Sequence, residues 1–160
     1  GEISFTSSAE KGSVFEVSLP VQFTSIDKKI VEDRSREVSP KNILIVDDMP
    51  LNLMVLNKIL THDGHIVKQA SDGYSAVELA KQVRFDLIFL DISMPDIDGY
   101  ETTKLIRVSA GPNAATPIVA LSGHAFDDDI QRSLQSGMTA HLSKPLDIDK
   151  VRQKIRELTA

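Results

Sequence analysis

From Lys41 onward, short apolar runs alternate with longer amphipathic stretches, and this alternation limits the folds open to the chain. Runs rich in β-branched residues and apolar throughout are typical of strands buried on both faces of a parallel sheet. The runs are ILIV (43–46), HIVKQA (65–70), LIFL (87–90), IVAL (118–121) and AHL (140–142). Five such β-then-α units predict an α/β fold, a doubly wound five-stranded parallel sheet with helices on both faces, as in flavodoxin-like folds.

The amphipathic stretches have helical spacing and carry start or stop signals at their ends. One stripe joins Leu53, Leu56, Ile59 and Leu60, and another joins Ile148, Val151, Ile155 and Leu158. Helix boundaries are indicated at Pro50, Asp72-Gly73, Asp98-Gly99 and Gly137. His62-Asp63-Gly64-His65 offers possible metal ligands, but its position favours a helix end followed by a strand start.

The first 40 residues differ from the rest in composition. Residues 1–22 alternate apolar and polar side chains in two runs around Gly12, which predicts a β-hairpin ending at Pro20. Residues 23–40 are highly charged without sustained periodicity, and we interpret them as a linker. The predicted organisation is therefore a hairpin over 1–22, a linker over 23–40 and one α/β domain over 41–160.

Charge and composition exclude several classes of function. A net charge of −5 argues against a nucleic-acid partner, which needs clustered Lys and Arg. The sequence contains no cysteine, so disulfides and thiolate metal sites are excluded. No apolar run approaches the roughly 18 residues of a membrane helix, and the start lacks the features of a signal peptide. We expect a soluble, cytoplasmic fragment.

Polar residues stand where four of the predicted strands end: Asp47-Asp48, Asp91, Ser122 and Lys144-Pro145. Parallel strands bring these carboxyl ends to one edge of the sheet. Three carboxylates there repel one another unless a cation lies among them, and oxygen ligands suit Mg²⁺. Singly, each residue is better explained as a helix cap or surface residue, so the prediction depends on their combination.

Together these groups are typical of a phosphoryl-transfer site. A metal and a lysine neutralise charge on the transferring oxygens, while one carboxylate acts as nucleophile and forms an acyl phosphate. Asp91 is the best candidate for the nucleophile, because it stands alone on a central strand. Ser122 adds a hydroxyl donor and Lys144 a positive charge.

Four blocks of sequence are similar to the signature motifs of the receiver domain of two-component response regulators: ILIVDDMPLN, DLIFLDISMPDIDGYE, IVALSGHA and HLSKPL. The resemblance covers 41–160 and implies that Asp47 and Asp48 form the acidic pair and that Asp91 is the phosphoacceptor. It also implies that the main-chain carbonyl of Ser93 completes the metal shell, and that Ser122 and Lys144 contact the phosphoryl oxygens. VDDMPLN and ALSGHA are most similar to receivers within hybrid sensor histidine kinases.

This resemblance implies an Mg²⁺-dependent receiver of a phosphorelay that promotes its own phosphoryl transfer and hydrolysis. The implied partners are the phosphohistidine domain of a histidine kinase and a histidine phosphotransfer domain. GEISFTSSAEKGSVFEVSLPV resembles the last strands of a kinase ATP-binding domain, without the boxes that bind ATP. The implied parent is a histidine kinase, anchored in the membrane through segments outside this chain.

Two positions depart from the family pattern. Ser122 and position 141 are the implied switch residues, but residue 141 is His where the family commonly has Tyr or Phe. Met49 follows the acidic pair where relatives often have Asn.

For the partner, we expect the helix beginning near Pro50 to supply a docking face that includes Asn52, Leu53 and Leu56. The alternative is that the two leucines belong to the core.

Other functions remain open at this point. A haloacid-dehalogenase-type phosphatase also uses Asp, Mg²⁺, Ser or Thr and Lys, but its nucleophile lies in a D-x-D motif on the first strand. A flavin-binding module would place a phosphate loop where Asp47 and Asp48 stand. A P-loop NTPase would need G-x-x-x-x-G-K-[ST], which is absent. A receiver that only binds partners would lack Asp91, Asp48 or Lys144.

Overall fold

The computed structural model describes residues 2–8, 12–18, 20, 39–123 and 127–160, with only the backbone described at 7 and 127–130. The chain divides into two compact units, Gly1–Glu37 and Val38–Ala160. Most of the predicted linker, 23–38, lies outside the described residues.

The first unit contains an antiparallel hairpin of β1, Glu2–Ser8, and β2, Gly12–Ser18, which confirms the predicted hairpin. Ile3 pairs with Val17 and Phe5 with Phe15, so these four apolar side chains share one face. The two phenylalanine rings stack with centroids 5.9 Å apart. All four side chains are exposed.

The second unit is the predicted doubly wound sheet. Its strands lie in the order β4-β3-β5-β6-β7, and every neighbouring pair is parallel. The elements are β3 Asn42–Val46, α1 Pro50–His62, β4 Ile66–Ala70, α2 Gly73–Gln82, β5 Leu87–Asp91, α3 Gly99–Val108, β6 Ile118–Ser122, α4 Asp127–Gln135, β7 Ala140–Ser143 and α5 Ile148–Leu158.

The apolar runs of the central strands divide their side chains between two cores, one on each face of the sheet. Leu44, Leu90 and their neighbours pack with α2 and α3 on one face. Ile45 and Phe89 pack with α1 and α5 on the other. Because alternate residues point to opposite faces, a strand covered on both sides is apolar throughout. Strand β4 lies at the edge of the sheet, which explains its weaker apolar pattern.

The helix boundaries agree with the signals in the sequence. Asp72 caps α2 by accepting from the Ser75 amide at 2.7 Å, and Asp98 caps α3 by accepting from the Glu101 amide at 2.8 Å. The segment 62–65 joins the end of α1 to β4 through Gly64, whose φ is +91°, as the sequence favoured. None of the described helices is both long and apolar enough to cross a membrane.

Helix α1 corrects one expectation. Leu53 and Leu56 are buried in the core together with Leu60, so the two leucines are not part of a docking face. The exposed apolar residues of this region are Met49, Leu51, Met54 and Val55. The sequence could not separate the two sets, because apolar residues occur all round this helix.

Candidate functional site

Three aspartates meet at the carboxyl edge of the sheet, where β3 and β5 end. Asp47, Asp48 and Asp91 each have a carboxylate oxygen within 4.8 Å of the others. Asp47 is 3% exposed and Asp91 is 4% exposed, whereas Asp48 is open to solvent. This donor set contains only carboxylate oxygens, so its chemistry fits a hard divalent cation such as Mg²⁺.

Lys144, just after β7, places its ammonium group between the two buried aspartates. Its Nζ lies 2.7 Å from Asp47 Oδ2 and 2.9 Å from Asp91 Oδ2. The Lys144 amide also donates to the Ser122 carbonyl at 2.6 Å, which ties the loop to the end of β6. The peptide between Lys144 and Pro145 is cis. The described cluster therefore contains its own cation, which offsets the repulsion between Asp47 and Asp91.

The environment shifts the protonation of two of these groups. Burial raises the pKa of Asp91, while the hydrogen bond and charge of Lys144 oppose that shift and the charge of Asp47 adds to it. Burial acts to lower the pKa of Lys144, but hydrogen bonds to Asp47 and Asp91 outweigh it, and the pKa is raised. Lys144 therefore remains a cation at neutral pH.

Of the three acids, Asp47 has the most hydrogen-bond partners among the residues that the structure describes. The Met49 amide donates to Asp47 Oδ1 at 2.9 Å, and Asn52 Nδ2 lies 3.0 Å from each carboxylate oxygen. Asn52 thus faces the site and positions Asp47. This role was not predicted from the sequence, where Asn52 was expected on a docking face. The available signal was a side-chain amide in the first turn of the helix after the acidic pair.

Among the described residues, Asp91 has one contact on each carboxylate oxygen. The Ser93 amide lies 3.4 Å from Asp91 Oδ1, and Lys144 contacts Oδ2. The first turn of α3 packs against the backbone of Asp91, since a Cβ on Gly99 would lie 2.5 Å from the Asp91 carbonyl oxygen. The assignment of the Ser93 carbonyl as a metal ligand stays a prediction.

Ser122 and His141 form a direct contact beside the acidic cluster. Ser122 ends β6, next to β5, and its Oγ lies 2.9 Å from Nε2 of His141 on β7. Ser122 is buried and His141 is half-buried. Both are the switch residues implied by the family resemblance, and the structure brings them together. The hydrogen bond uses a ring nitrogen, which Tyr and Phe lack.

Comparison with known proteins gives a consistent result. The family model for the response regulator receiver domain matches residues 43–156. Sensor histidine kinase AruS of Pseudomonas aeruginosa is 35% identical over 99% of this chain. The aerobic respiration control sensor protein ArcB of Escherichia coli K12 is 31% identical over 98% of it. The chain spans only 16% of AruS and 20% of ArcB.

Solved structures similar to this chain include two informative examples. The receiver domain of sensor histidine kinase PA1611 from Pseudomonas aeruginosa PAO1, with a magnesium ion coordinated in its active-site cleft, is 32% identical with a TM-score of 0.69 and covers 76% of this chain and 98% of its own. A chain in the co-crystal structure of Saccharomyces cerevisiae Ypd1, a histidine phosphotransfer signalling protein, with the receiver domain of Ssk1 is 30% identical, with a TM-score of 0.68. It covers 75% of this chain and 89% of its own.

Proposed function

The chain belongs to the response regulator receiver domain family, and from this premise we propose that Asp91 accepts a phosphoryl group from a phosphohistidine. As a receiver domain it functions in a two-component phosphorelay. The observation that carries the assignment to Asp91 is the difference between the three aspartates in their hydrogen bonding and exposure.

Asp47 accepts hydrogen bonds from a backbone amide, from Asn52 and from Lys144, so both of its oxygens are engaged. Asp48 is exposed, where water weakens its interaction with any transferring group. Asp91 is buried, and within the described part of the chain Lys144 contacts one of its oxygens while the Ser93 amide makes a long contact, at 3.4 Å, with the other. These differences support Asp91 as the nucleophile.

The proposed reaction transfers one phosphoryl group. An oxygen of the Asp91 carboxylate attacks phosphorus, and a P–O bond forms as the P–N bond to the donor imidazole breaks. The electron pair of that bond stays on the imidazole nitrogen, which then takes a proton from solvent. Lys144 stabilises negative charge on the phosphoryl oxygens, and the Ser122 hydroxyl donates to one of them.

We further propose that Asp47, Asp48, Asp91 and the Ser93 carbonyl hold Mg²⁺. Bound there, the ion would neutralise charge on the transferring oxygens. The oxygen-only cluster and the magnesium in the similar PA1611 receiver support this choice of metal. Asn52 would contribute indirectly, because it fixes the orientation of the Asp47 carboxylate.

Mass spectrometry of the intact protein tests the assignment of Asp91. Incubation with acetyl phosphate or a phosphohistidine donor, with Mg²⁺, should add one phosphoryl group. Asp91→Asn should abolish the addition, whereas Asp149→Asn, which removes an exposed carboxylate on α5, should leave it unchanged. Equal labelling of Asp91→Asn and the parent protein would refute the assignment. Turnover of small phosphate esters would instead favour the phosphatase alternative.

We also propose that the exposed face of α1 binds the domain that carries the phosphohistidine. Leu51, Met54 and Val55 form this α1 face, and each is about half exposed or more. Beside it runs a cleft of about 270 Å³, and the residues lining the cleft include Leu51, Val55, Asp47 and Lys144. An apolar contact surface that continues into the acidic cluster suits a partner that must bring its phosphohistidine to Asp91. The Ypd1–Ssk1 co-crystal supports a partner of this kind.

A charge on the α1 face should separate docking from chemistry. With Val55→Arg, we expect transfer from a phosphohistidine domain to slow at least tenfold, while labelling by acetyl phosphate is unchanged. Val108→Arg is the matched control, because Val108 is exposed at the far end of α3. Equal slowing with both donors would mean that the substitution damages the site, and unchanged transfer would remove α1 from the interface.

We assign residues 1–22 to the end of a kinase ATP-binding domain, 23–40 to a linker and 41–160 to the receiver. The alignment to AruS includes the hairpin, since it covers 99% of this chain. The four apolar side chains on one face of the hairpin are exposed, as expected for strands whose core is supplied by further residues of the same domain. The parent would then be a hybrid histidine kinase.

A further inference from the structure

The hydrogen bond between Ser122 and His141 has two possible directions, and they have different consequences. The Oγ–Nε2 separation of 2.9 Å is that of a well-formed hydrogen bond. A hydroxyl carries one hydrogen and can also accept. Nε2 of a neutral imidazole either accepts, if the proton is on Nδ1, or donates, if it carries the proton itself.

In the first arrangement the Ser122 hydroxyl donates to Nε2, and its single hydrogen is used in that bond. In the second, Nε2–H donates to the Ser122 oxygen, and the hydroxyl hydrogen can be directed at another acceptor. The position of one proton on His141 therefore decides whether the imidazole takes the Ser122 hydrogen or leaves it for another acceptor.

If Ser122 donates to a phosphoryl group on Asp91 and keeps its hydrogen bond to His141, only the second arrangement is possible. Phosphoryl oxygens of an acyl phosphate accept hydrogen bonds and do not donate them, so Ser122 can contact them only with its hydrogen. The same hydrogen cannot also serve Nε2. For the Ser122–His141 contact to persist in the phosphorylated protein, the imidazole has to be the donor.

We propose that His141 is a positioning residue for the phosphoryl site: its Nε2–H donates to Ser122 and directs the serine hydroxyl at a phosphoryl oxygen on Asp91. This inference rests on the proposed function of Asp91. It gives a role to the residue at which the sequence departs from the family's usual Tyr or Phe, and that role depends on a ring nitrogen that neither of those side chains has.

The tautomer can be measured directly by long-range ¹⁵N–¹H correlation of the histidine rings. His141 is distinguished from the other three histidines by single substitution. On addition of beryllium trifluoride and Mg²⁺, which imitate the acyl phosphate, Nε2 of His141 should show the shift of a protonated nitrogen. An unprotonated Nε2 in the loaded protein would overturn the proposal. If no beryllium trifluoride binds at Asp91, the proposed function fails as well.

Amide substitutions test the role of the donor atom. Gln at 141 places an N–H donor near the position of Nε2, whereas Asn reaches only to the position of Nδ1. We expect His141→Gln to bind beryllium trifluoride nearly as the parent does, and His141→Asn to bind roughly fivefold more weakly, the effect of one hydrogen bond.

A double-mutant cycle excludes a merely structural role. If His141 acts through the Ser122 hydroxyl, His141→Asn should cause little further loss of beryllium trifluoride affinity in a Ser122→Ala background. A loss equal to that in the parent protein would show that His141 acts by another route.

The two amide variants give a second check on the donor atom. Equal beryllium trifluoride affinities of His141→Gln and His141→Asn would also contradict the proposal.

Discussion

At the scale of single residues, Lys144 changes how the acidic cluster should be understood. The sequence alone predicts three carboxylates that repel one another until a metal binds. In the structure, the Lys144 ammonium lies within 2.9 Å of both Asp47 and Asp91, so those two are already compensated. Asp48 lies outside this pairing and is exposed. Removing the charge of Asp48 should therefore weaken metal binding while it changes the stability of the metal-free protein only slightly.

We expect Asp48→Asn to remove most of the stabilisation by Mg²⁺. A ligand at tenfold saturation stabilises the native state by about 1.4 kcal/mol, which raises the melting temperature. The metal-free variant should gain less than about 1 kcal/mol, because solvent screens the repulsion that it relieves. Thermal melts with EDTA and with Mg²⁺ measure both effects, and Glu78→Gln on α2 serves as the control. A full Mg²⁺ response in Asp48→Asn would show that Asp48 is not a ligand.

Asp63 lies at the amino ends of the strands, away from the acidic cluster. It makes a pH-dependent contribution to the free energy of unfolding that does not involve the site. Arg152 Nε and Nη2 donate to its two oxygens at 2.7 and 3.0 Å. This pairing lowers the pKa of Asp63. A carboxyl group with a lowered folded-state pKa stabilises the protein above its unfolded pKa, near 3.9, and loses that contribution as the pH falls through the folded value.

Asp63→Asn should therefore lower the free energy of unfolding by about 0.5–1 kcal/mol at pH 7, a value that allows for solvent screening. The difference from the parent should vanish in acid, below the folded pKa. Asp149→Asn should have a smaller effect, since Asp149 is almost fully exposed and lies 3.6 Å from Arg152. Urea titrations of the parent and both variants, from pH 7 down to below the folded pKa of Asp63, measure the difference in the free energy of unfolding. A constant deficit at every pH would mean that Asp63 acts through its shape and not its charge.

At the scale of elements, the loop between α3 and β6 is organised around one buried side chain. Asn113 Nδ2 donates to the carbonyls of Ala80 and Val83, and Oδ1 accepts from the Phe85 amide and the Thr116 hydroxyl. These contacts join the end of α2 to the approaches of β5 and β6. Asn113 therefore fixes where two central strands begin.

Asn113→Ala should lower the free energy of unfolding by about 3 kcal/mol, because it leaves several buried polar groups without partners. The proposed phosphorylation site lies at the other end of the strands, so the folded variant should keep its response to Mg²⁺. Asn57→Ala is the control, since its hydrogen bond to Thr61 is exposed and long at 3.4 Å. Urea denaturation measures both variants. A cost below 1 kcal/mol for Asn113→Ala would mean that water replaces the amide.

The sequence predicts elements better than it predicts contacts, for a physical reason. Strands buried on both faces leave a continuous apolar run, and their ends reveal where Asp47, Asp91 and Ser122 converge. The contacts of Asn113 span about 30 residues of chain, and no local pattern marks them. The bond between Ser122 and His141 depends likewise on the pairing of β6 with β7. The burial of Leu53 depended on which face of α1 meets the sheet.

At the scale of the whole molecule, the chain consists of two compact units that differ in how far their apolar side chains are buried. The unit Val38–Ala160 has a core on each face of its sheet. The hairpin of the first unit exposes its apolar face, and a two-stranded hairpin is at best marginally stable by itself. The described residues with proposed chemical roles all lie in the second unit. The two units should therefore be separable without loss of chemistry.

Removing residues 1–40 should leave Mg²⁺ binding and phosphorylation at Asp91 intact. The cut preserves Lys41, whose carbonyl accepts from the Ile66 amide at 2.9 Å and whose ammonium donates to the Thr159 carbonyl at the end of α5. A shorter fragment, 43–160, loses these contacts and should unfold at lower urea concentration while its folded fraction is still phosphorylated. Intact-mass labelling and urea denaturation of both fragments test this. If a folded 41–160 fragment fails to be phosphorylated, the first 40 residues contribute to the site, and the division of the chain proposed above is wrong.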